Sequence, residues 1–219
     1  MISAQPKSTI LVACDTRLSA QALSWGLECH LPEVHVISVW SLDELKHRFH
    51  MEAPALVLLD EAMAMQAIRI LSGFVEVRVR NARLAVLANE LTQGQLSYVV
   101  HNRVTGLISR NRSLPELARE LNLVMTGTPV AADEFAEHVQ PGHDGFIEPR
   151  YEVAARLTDR QLEVLIRIAE GNSVREVASQ LRISHKSVES HKYRGMKTLQ
   201  IDDRVDLCRW AIREGLIKA

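Results

Sequence analysis

The stretch Ala55–Met63, "ALVLLDEAM", drives a run of apolar residues into one acid, Asp60. A carboxylate at the tip of a buried strand is costly unless it is paired, hydrogen-bonded or employed. Two roles fit it. Asp60 accepts a phosphoryl group, or it is a structural acid bonded to a loop or to Arg110. A second concentration of chemistry lies near the C-terminus, where Lys186, Lys192, Arg194 and Lys197 fall on one segment of helical length. Its N-terminal N–H groups suit a phosphate. Other reactive residues form no set. His47 and His50 share a helical spacing but have no third ligand in sequence, and His138 and His143 read as solvated. Cys14, Cys29 and Cys208 match no metal or disulfide spacing. Nothing resembles a nucleophile, base and orienter, so an enzyme is not expected. The one enzymatic reading that can be built is an aspartyl phosphatase around Asp15 and Asp60.

Bulk properties narrow the class. A chain of 219 residues that is 47% hydrophobic and 24% charged can bury a core in one large domain or two small ones. No apolar run is long enough to span a bilayer, and the N-terminus lacks a secretory pattern. With scattered cysteines, this predicts a cytoplasmic protein without membrane contact. The net charge of -1 hides an asymmetry. Residues 151–219 hold 13 basic and 10 acidic side chains, and residues 1–150 hold 13 and 17. A basic C-terminal piece behind an acidic one points weakly to nucleic acid.

The elements that must position these groups follow from periodicity. Strand-like runs occur at 9–13, 34–39, 55–59, 83–88 and 104–109; four are mostly or wholly apolar, as strands covered on both faces should be, and 34–39 is more mixed. Helical segments alternate with them. Capping boxes open at Ser41 with Glu44, Thr92 with Gln95, and Ser113 with Glu116. The expected fold is α/β, a doubly wound five-stranded parallel sheet over residues 1–126. Residues 73–81, "GFVEVRVRN", alternate like a strand, but the topology asks for a helix end and loop. Residues 127–150 are rich in turn formers and read as a linker with a short helix at 132–138. From 156 the pattern is all-helical. Thr158, Ser173, Ser184 and Asp202 or Asp203 cap four helices, Gly171 stops the first, and the fourth turns Leu207, Cys208, Ala211 and Ile212 inward. The middle pair makes a helix-turn-helix.

This C-terminal segment, 151–219, carries a specific pattern: Leu157-Thr158-x-Arg160, Glu163, Gly171, Glu176-Val-Ala178, Ser184, Val188, His191 and Leu199. It resembles the DNA-binding domain of the LuxR/NarL/FixJ family of bacterial regulators. The resemblance implies a four-helix module that binds double-stranded DNA as a dimer, with Glu189, Ser190 and Tyr193 reading bases. Arg175, Lys186, Ser187, Lys192, Arg194 and Lys197 are then placed for the phosphate backbone. Two positions depart from the family. Glu189 replaces a residue that is often basic; it either accepts from cytosine N4 or pairs with Lys192 or Lys186. Gly195 stands where a branched apolar residue is usual, at a helix-propensity cost of roughly 1 kcal/mol. It either softens the helix or admits a close neighbour.

The alternating N-terminal region followed by this module resembles a two-domain response regulator. Receivers of that kind use two acids after the first strand and a phosphoacceptor aspartate after the third to hold Mg²⁺. The resemblance puts Asp15 at the second acid and Asp60 at the acceptor. Cys14 replaces the first acid, and a thiol is a soft ligand poorly suited to Mg²⁺. Ala88 replaces a hydroxyl, Arg110 replaces the lysine, Leu107 replaces the switch aromatic, and Ala64 replaces a proline. The expectation is an atypical receiver controlled by dimerisation, a partner or an anionic effector. Its late helices, 92–102 and 113–126, are the expected homodimer or heterodimer surface. Alternatives are a conventional regulator phosphorylated on Asp60, or an interaction module that heterodimerises with another regulator.

Overall fold

The computed structural model describes residues 8–75, 82–149 and 157–217. The chain divides into two compact units. One comprises Met1–Glu90 with Asn102–Arg150, the other Leu91–His101 with Tyr151–Ala219.

The first unit is built on a sheet ordered β2-β1-β3-β4-β5-β6. Its strands are β1 (Ser8–Ala13), β2 (Val34–Val39), β3 (Leu56–Asp60), β4 (Arg83–Ala88), β5 (Gly106–Ser109) and β6 (Val130–Ala131), and every pairing is parallel. Helices α1 (Arg17–His30), α2 (Leu42–Glu52), α3 (Glu61–Val75), α4 (Gln93–His101) and α5 (Leu114–Met125) separate successive strands in sequence. Both faces of the sheet are covered, which is why β3 is buried at every residue. Ile10, Val12, Leu56, Leu58 and Ile108 pack with Leu27 of α1 and Leu117 and Leu121 of α5. Each such aliphatic side chain contributes about 1.5–3 kcal/mol by leaving water. The caps read from sequence are present. Ser41 accepts from the Glu44 N–H at 3.2 Å, Thr92 from the Gln95 N–H at 3.2 Å, and Glu116 from the Ser113 N–H at 2.9 Å.

The sheet therefore has six strands, not five. The sixth comes from the expected linker. Residues 127–149 supply β6, a 3-10 turn at Asp133–Phe135 in place of the expected helix at 132–138, and an antiparallel hairpin of β7 (Val139–Pro141) and β8 (Ile147–Pro149). Phe135, Val139 and Ile147 are buried, so this segment is packed structure. Its turn-forming composition marked the bends correctly and concealed the three apolar anchors between them. For 73–81, α3 reaches Val75; residues 76–81 lie outside the described residues.

The second unit contains α4 together with α6 (Asp159–Ala169), α7 (Val174–Leu181), α8 (His185–Leu199) and α9 (Arg204–Arg213). Thr158, Ser173, Ser184 and Asp203 each cap the following helix with a side-chain oxygen. Glu170 caps the end of α6, and Gly171 follows at φ 102°, a left-handed conformation that favours glycine. Leu207 and Ala211 point inward as expected, whereas Ile212 is 40% exposed. No helix among the described residues is long and apolar enough to cross a membrane.

Candidate functional site

Asp60 ends β3, and α3 begins at the next residue. Its carboxylate is 4% exposed and accepts from the backbone N–H groups of Glu61 and Ala62 at the helix start. Arg110, in the loop after β5, donates from Nη1 to Asp60 Oδ1 at 2.7 Å. Burial raises the Asp60 pKa above its ordinary range; Arg110 and the two backbone donors oppose this, and Asp15 reinforces it. The bland role considered for Asp60, a strand-end acid bound to Arg110, is thus the geometry present.

The neighbours of this pair do not complete a hard-metal site. Cys14 is buried, and its thiol is pushed up to about 12, chiefly by burial and then by the Asp60 charge. It stays a neutral, soft donor near neutral pH. Asp15 is exposed. With one carboxylate committed to Arg110 and a thiol in place of an acid, the donors do not fit Mg²⁺. No group of three His, Cys, Asp or Glu side chains is placed to hold a metal ion among the described residues. Ala88 and Leu107 are fully buried, so neither a hydroxyl nor a swinging aromatic is available at those positions. Ala64 is also buried, within α3.

Sequence reasoning missed what holds the Arg110 loop. Ser109 is fully buried, donates to Glu134 Oε1 at 2.5 Å, and accepts from the Asn111 N–H at 3.2 Å. Arg112 pairs with Glu120 at 3.0 Å. A serine closing an apolar strand was a signal; its partner Glu134 sat in the segment read as linker. His47, His50, His138 and His143 are all exposed.

In the helical unit, the residues assigned to DNA lie on α8 and α7. Lys186, Glu189, Ser190, Tyr193, Arg194 and Lys197 are exposed on α8, with Ser187 and Lys192 partly so, and Arg175 is exposed on α7. Tyr193 is 66% exposed, an unusual position for a large ring with nothing to cover it. Glu189 and Lys192 form an ion pair at 2.7 Å, one helical turn apart. Gly195 is buried against α6. A Cβ there would lie 2.8 Å from Leu165 Cδ1 and 3.4 Å from Gln161 Cβ. Close approach of α8 to α6 therefore explains the glycine.

Arg160 and Glu163 hold the module together. Glu163 bridges Arg160 at 2.6 Å and Arg167 at 3.2 Å, and Arg160 also donates to the Leu181 carbonyl at the end of α7. The turn between α7 and α8 passes through Arg182 at φ 52°. Together these set the angle at which α8 is presented.

Comparison with known proteins agrees with this architecture. Residues 155–211 match the family of bacterial regulatory proteins, luxR family. The response regulator UvrY of Escherichia coli K12 is 30% identical over 123 residues, 55% of each chain. The transcriptional regulatory protein DesR of Bacillus subtilis is 24% identical over 143 residues, 65% of this chain and 66% of that one. The chain thus spans about half the length of the first of these relatives. Among solved structures, RcsB of Salmonella enterica serovar Typhimurium bound to promoter rprA has a TM-score of 0.60 at 18% identity, over 93% of this chain and 98% of that one. A structure of two RcsB dimers bound to two parallel DNAs has a TM-score of 0.54, also at 18% identity, over 95% and 98% of the chains. At that identity the likeness establishes the fold. Residues 155–211 thus match a luxR-family domain, and the chain shares the overall fold of the RcsB structures, an α/β unit followed in sequence by a helical one.

Proposed function

We propose that this protein is a cytoplasmic bacterial transcription factor that binds double-stranded DNA through α8 and is not switched by ordinary phosphorylation of Asp60. The working division is a receiver-like domain to residue 126, a connecting segment at 127–150, and a DNA-binding domain from 151. Glu189, Ser190 and Tyr193 face bases in this reading. Arg175, Lys186, Ser187, Lys192, Arg194 and Lys197 contact phosphates. The protein acts as a homodimer on paired half-sites or as a heterodimer with another regulator, the arrangement itself carrying the input.

One observation supports the control mode above the rest: Asp60 is already held by Arg110 at 2.7 Å, beside a neutral Cys14 and without a hydroxyl at Ala88. Phosphoryl transfer depends on positioning and on neutralising the equatorial oxygens, and these are the parts replaced. The conventional reading keeps one argument. Asp60 sits at the N-terminus of α3 with two backbone donors, where a phosphoryl group would be welcome. A small-molecule phosphodonor with Mg²⁺, followed by intact mass measurement, decides between them. The expected spectrum holds the unmodified chain alone. A stoichiometric phosphoryl adduct abolished by Asp60→Asn would establish the conventional switch.

A further inference from the structure

Arg83 opens β4 opposite Leu56, whereas Asp60 lies opposite Leu87. Four residues of strand at about 3.3 Å each place Arg83 roughly 13 Å from the Asp60 end of the sheet. Here the post-α5 hairpin folds back, its Ile147 N–H donating to the Val104 carbonyl at 2.9 Å. That brings half-buried Phe146 beneath two guanidiniums. Arg83 Cζ is 5.6 Å and Arg103 Cζ 4.2 Å from the ring centroid.

The backbone is shaped around these side chains. Gly127 and Gly145 have φ of 87° and 79°, and a Cβ on Gly127 would lie 2.7 Å from Arg83 Nη2. Arg103 has a φ of 54°, in the left-handed region that non-glycine residues rarely adopt.

Arg110, Arg112, Arg160 and Arg167 each pair with a carboxylate. Among the described residues, neither the Arg83 nor the Arg103 guanidinium pairs with a carboxylate; both stack on Phe146, and Arg83 Nη2 also lies against Gly127. Each guanidinium carries five N–H donors and no acceptor. Stacking covers the face of a guanidinium and leaves the donor-bearing edge of exposed Arg103 open to bidentate recognition of an oxyanion, while part of the Arg83 edge lies against Gly127. The two ring distances also confine both Cζ atoms to within about 10 Å of each other, close to one Debye length at 0.1 M salt, where like charges still repel. An anion carrying at least two charges relieves that repulsion.

We propose that Arg83 and Arg103, presented by Phe146, form a binding site for a phosphate or diphosphate group, either inorganic or carried by a nucleotide. The site lies wholly in the sheet unit and is independent of DNA binding by α8. The plain alternative is that the arginines only staple the hairpin to the sheet.

Isothermal titration of the full chain with pyrophosphate and with ADP, at fixed ionic strength, separates the two. Saturable binding is expected, weakened roughly tenfold by Arg103→Gln, which removes one charged, bidentate partner at an exposed position. Lys192→Ala on α8 should leave it unchanged. Phe146→Leu should lower both anion affinity and the melting temperature. Tighter binding of ADP identifies a nucleotide as the source, and equal binding an inorganic anion; either supports the site. No heat at about 1 mM ligand, a threshold near -4 kcal/mol, would overturn it. So would unchanged affinity in Arg103→Gln, loss of binding in Lys192→Ala, or a Phe146→Leu variant that melts earlier but binds equally well.

Discussion

Asp60 and Arg110 show how one side chain redefines another. The Arg110 guanidinium is 41% exposed while its partner carboxylate is 4% exposed, so the burden of desolvation falls on Asp60. A group whose folded pKa is raised contributes stability that is present below its ordinary value of 3.8 and is lost as pH rises through the raised value. Arg110→Ala removes the cation that opposes this rise. The variant should match the wild type below pH 3.8 and become less stable by about 1–3 kcal/mol at pH 7, under the 3–5 kcal/mol typical of breaking a fully buried pair. Denaturant melts at both pH values check the sign, and NMR titration should find the Asp60 pKa higher still. On α8, Glu189 and Lys192, to which DNA contacts are assigned in the proposed function, form an ion pair with each other. Lys192→Ala should weaken binding to all DNA sequences and reduce the salt slope by about 1, whereas Glu189→Ala should alter sequence preference. Gel-shift titrations across a salt series, on a randomised and an enriched site, distinguish these; identical effects from both substitutions would defeat the division of roles.

At the scale of elements, the junction of α6 and α8 turns on Gly195. Helix propensity alone predicts that Gly195→Ala gains about 1 kcal/mol. The added Cβ would meet Leu165, which is fully buried and has little room to yield. Overpacking typically costs 1–3 kcal/mol. The net expectation is a loss of about 1 kcal/mol on Ala and a larger one on Val, read by thermal unfolding. A more stable Gly195→Ala protein would mean that the glycine serves flexibility instead. The capping boxes belong to this scale too. Local donor and acceptor spacing predicted them, and they sit where it placed them because a cap is settled within four residues.

The whole molecule depends on contacts that span the chain. Residues 127–149 read as a linker, yet Phe135, Val139 and Ile147 are buried and β6 joins the sheet through β5. Ile147→Ala should therefore destabilise the sheet unit by about 2–5 kcal/mol, the range for deleting a buried aliphatic side chain. A true linker would tolerate it. Circular dichroism melts give the answer, and an unchanged transition would return the segment to linker status. Ser109, Glu134 and Arg110 connect this same segment to the Asp60 pair, so the Arg110 loop is held partly by residues beyond the last full helix.

By itself the sequence determined five of the six strands of the main sheet, the caps, the helix-turn-helix pattern and the identities of Cys14, Ala88, Leu107 and Arg110, because each rests on period, local hydrogen bonding or residue chemistry. Tertiary structure alone decided that Arg110 reaches Asp60 across fifty residues and that Gly195 is set by Leu165. The same holds for Phe146 beneath Arg83 and Arg103. These are pairings between side chains that local spacing leaves with several partners. Only the packed chain, with its loop-closure entropy already met, selects one.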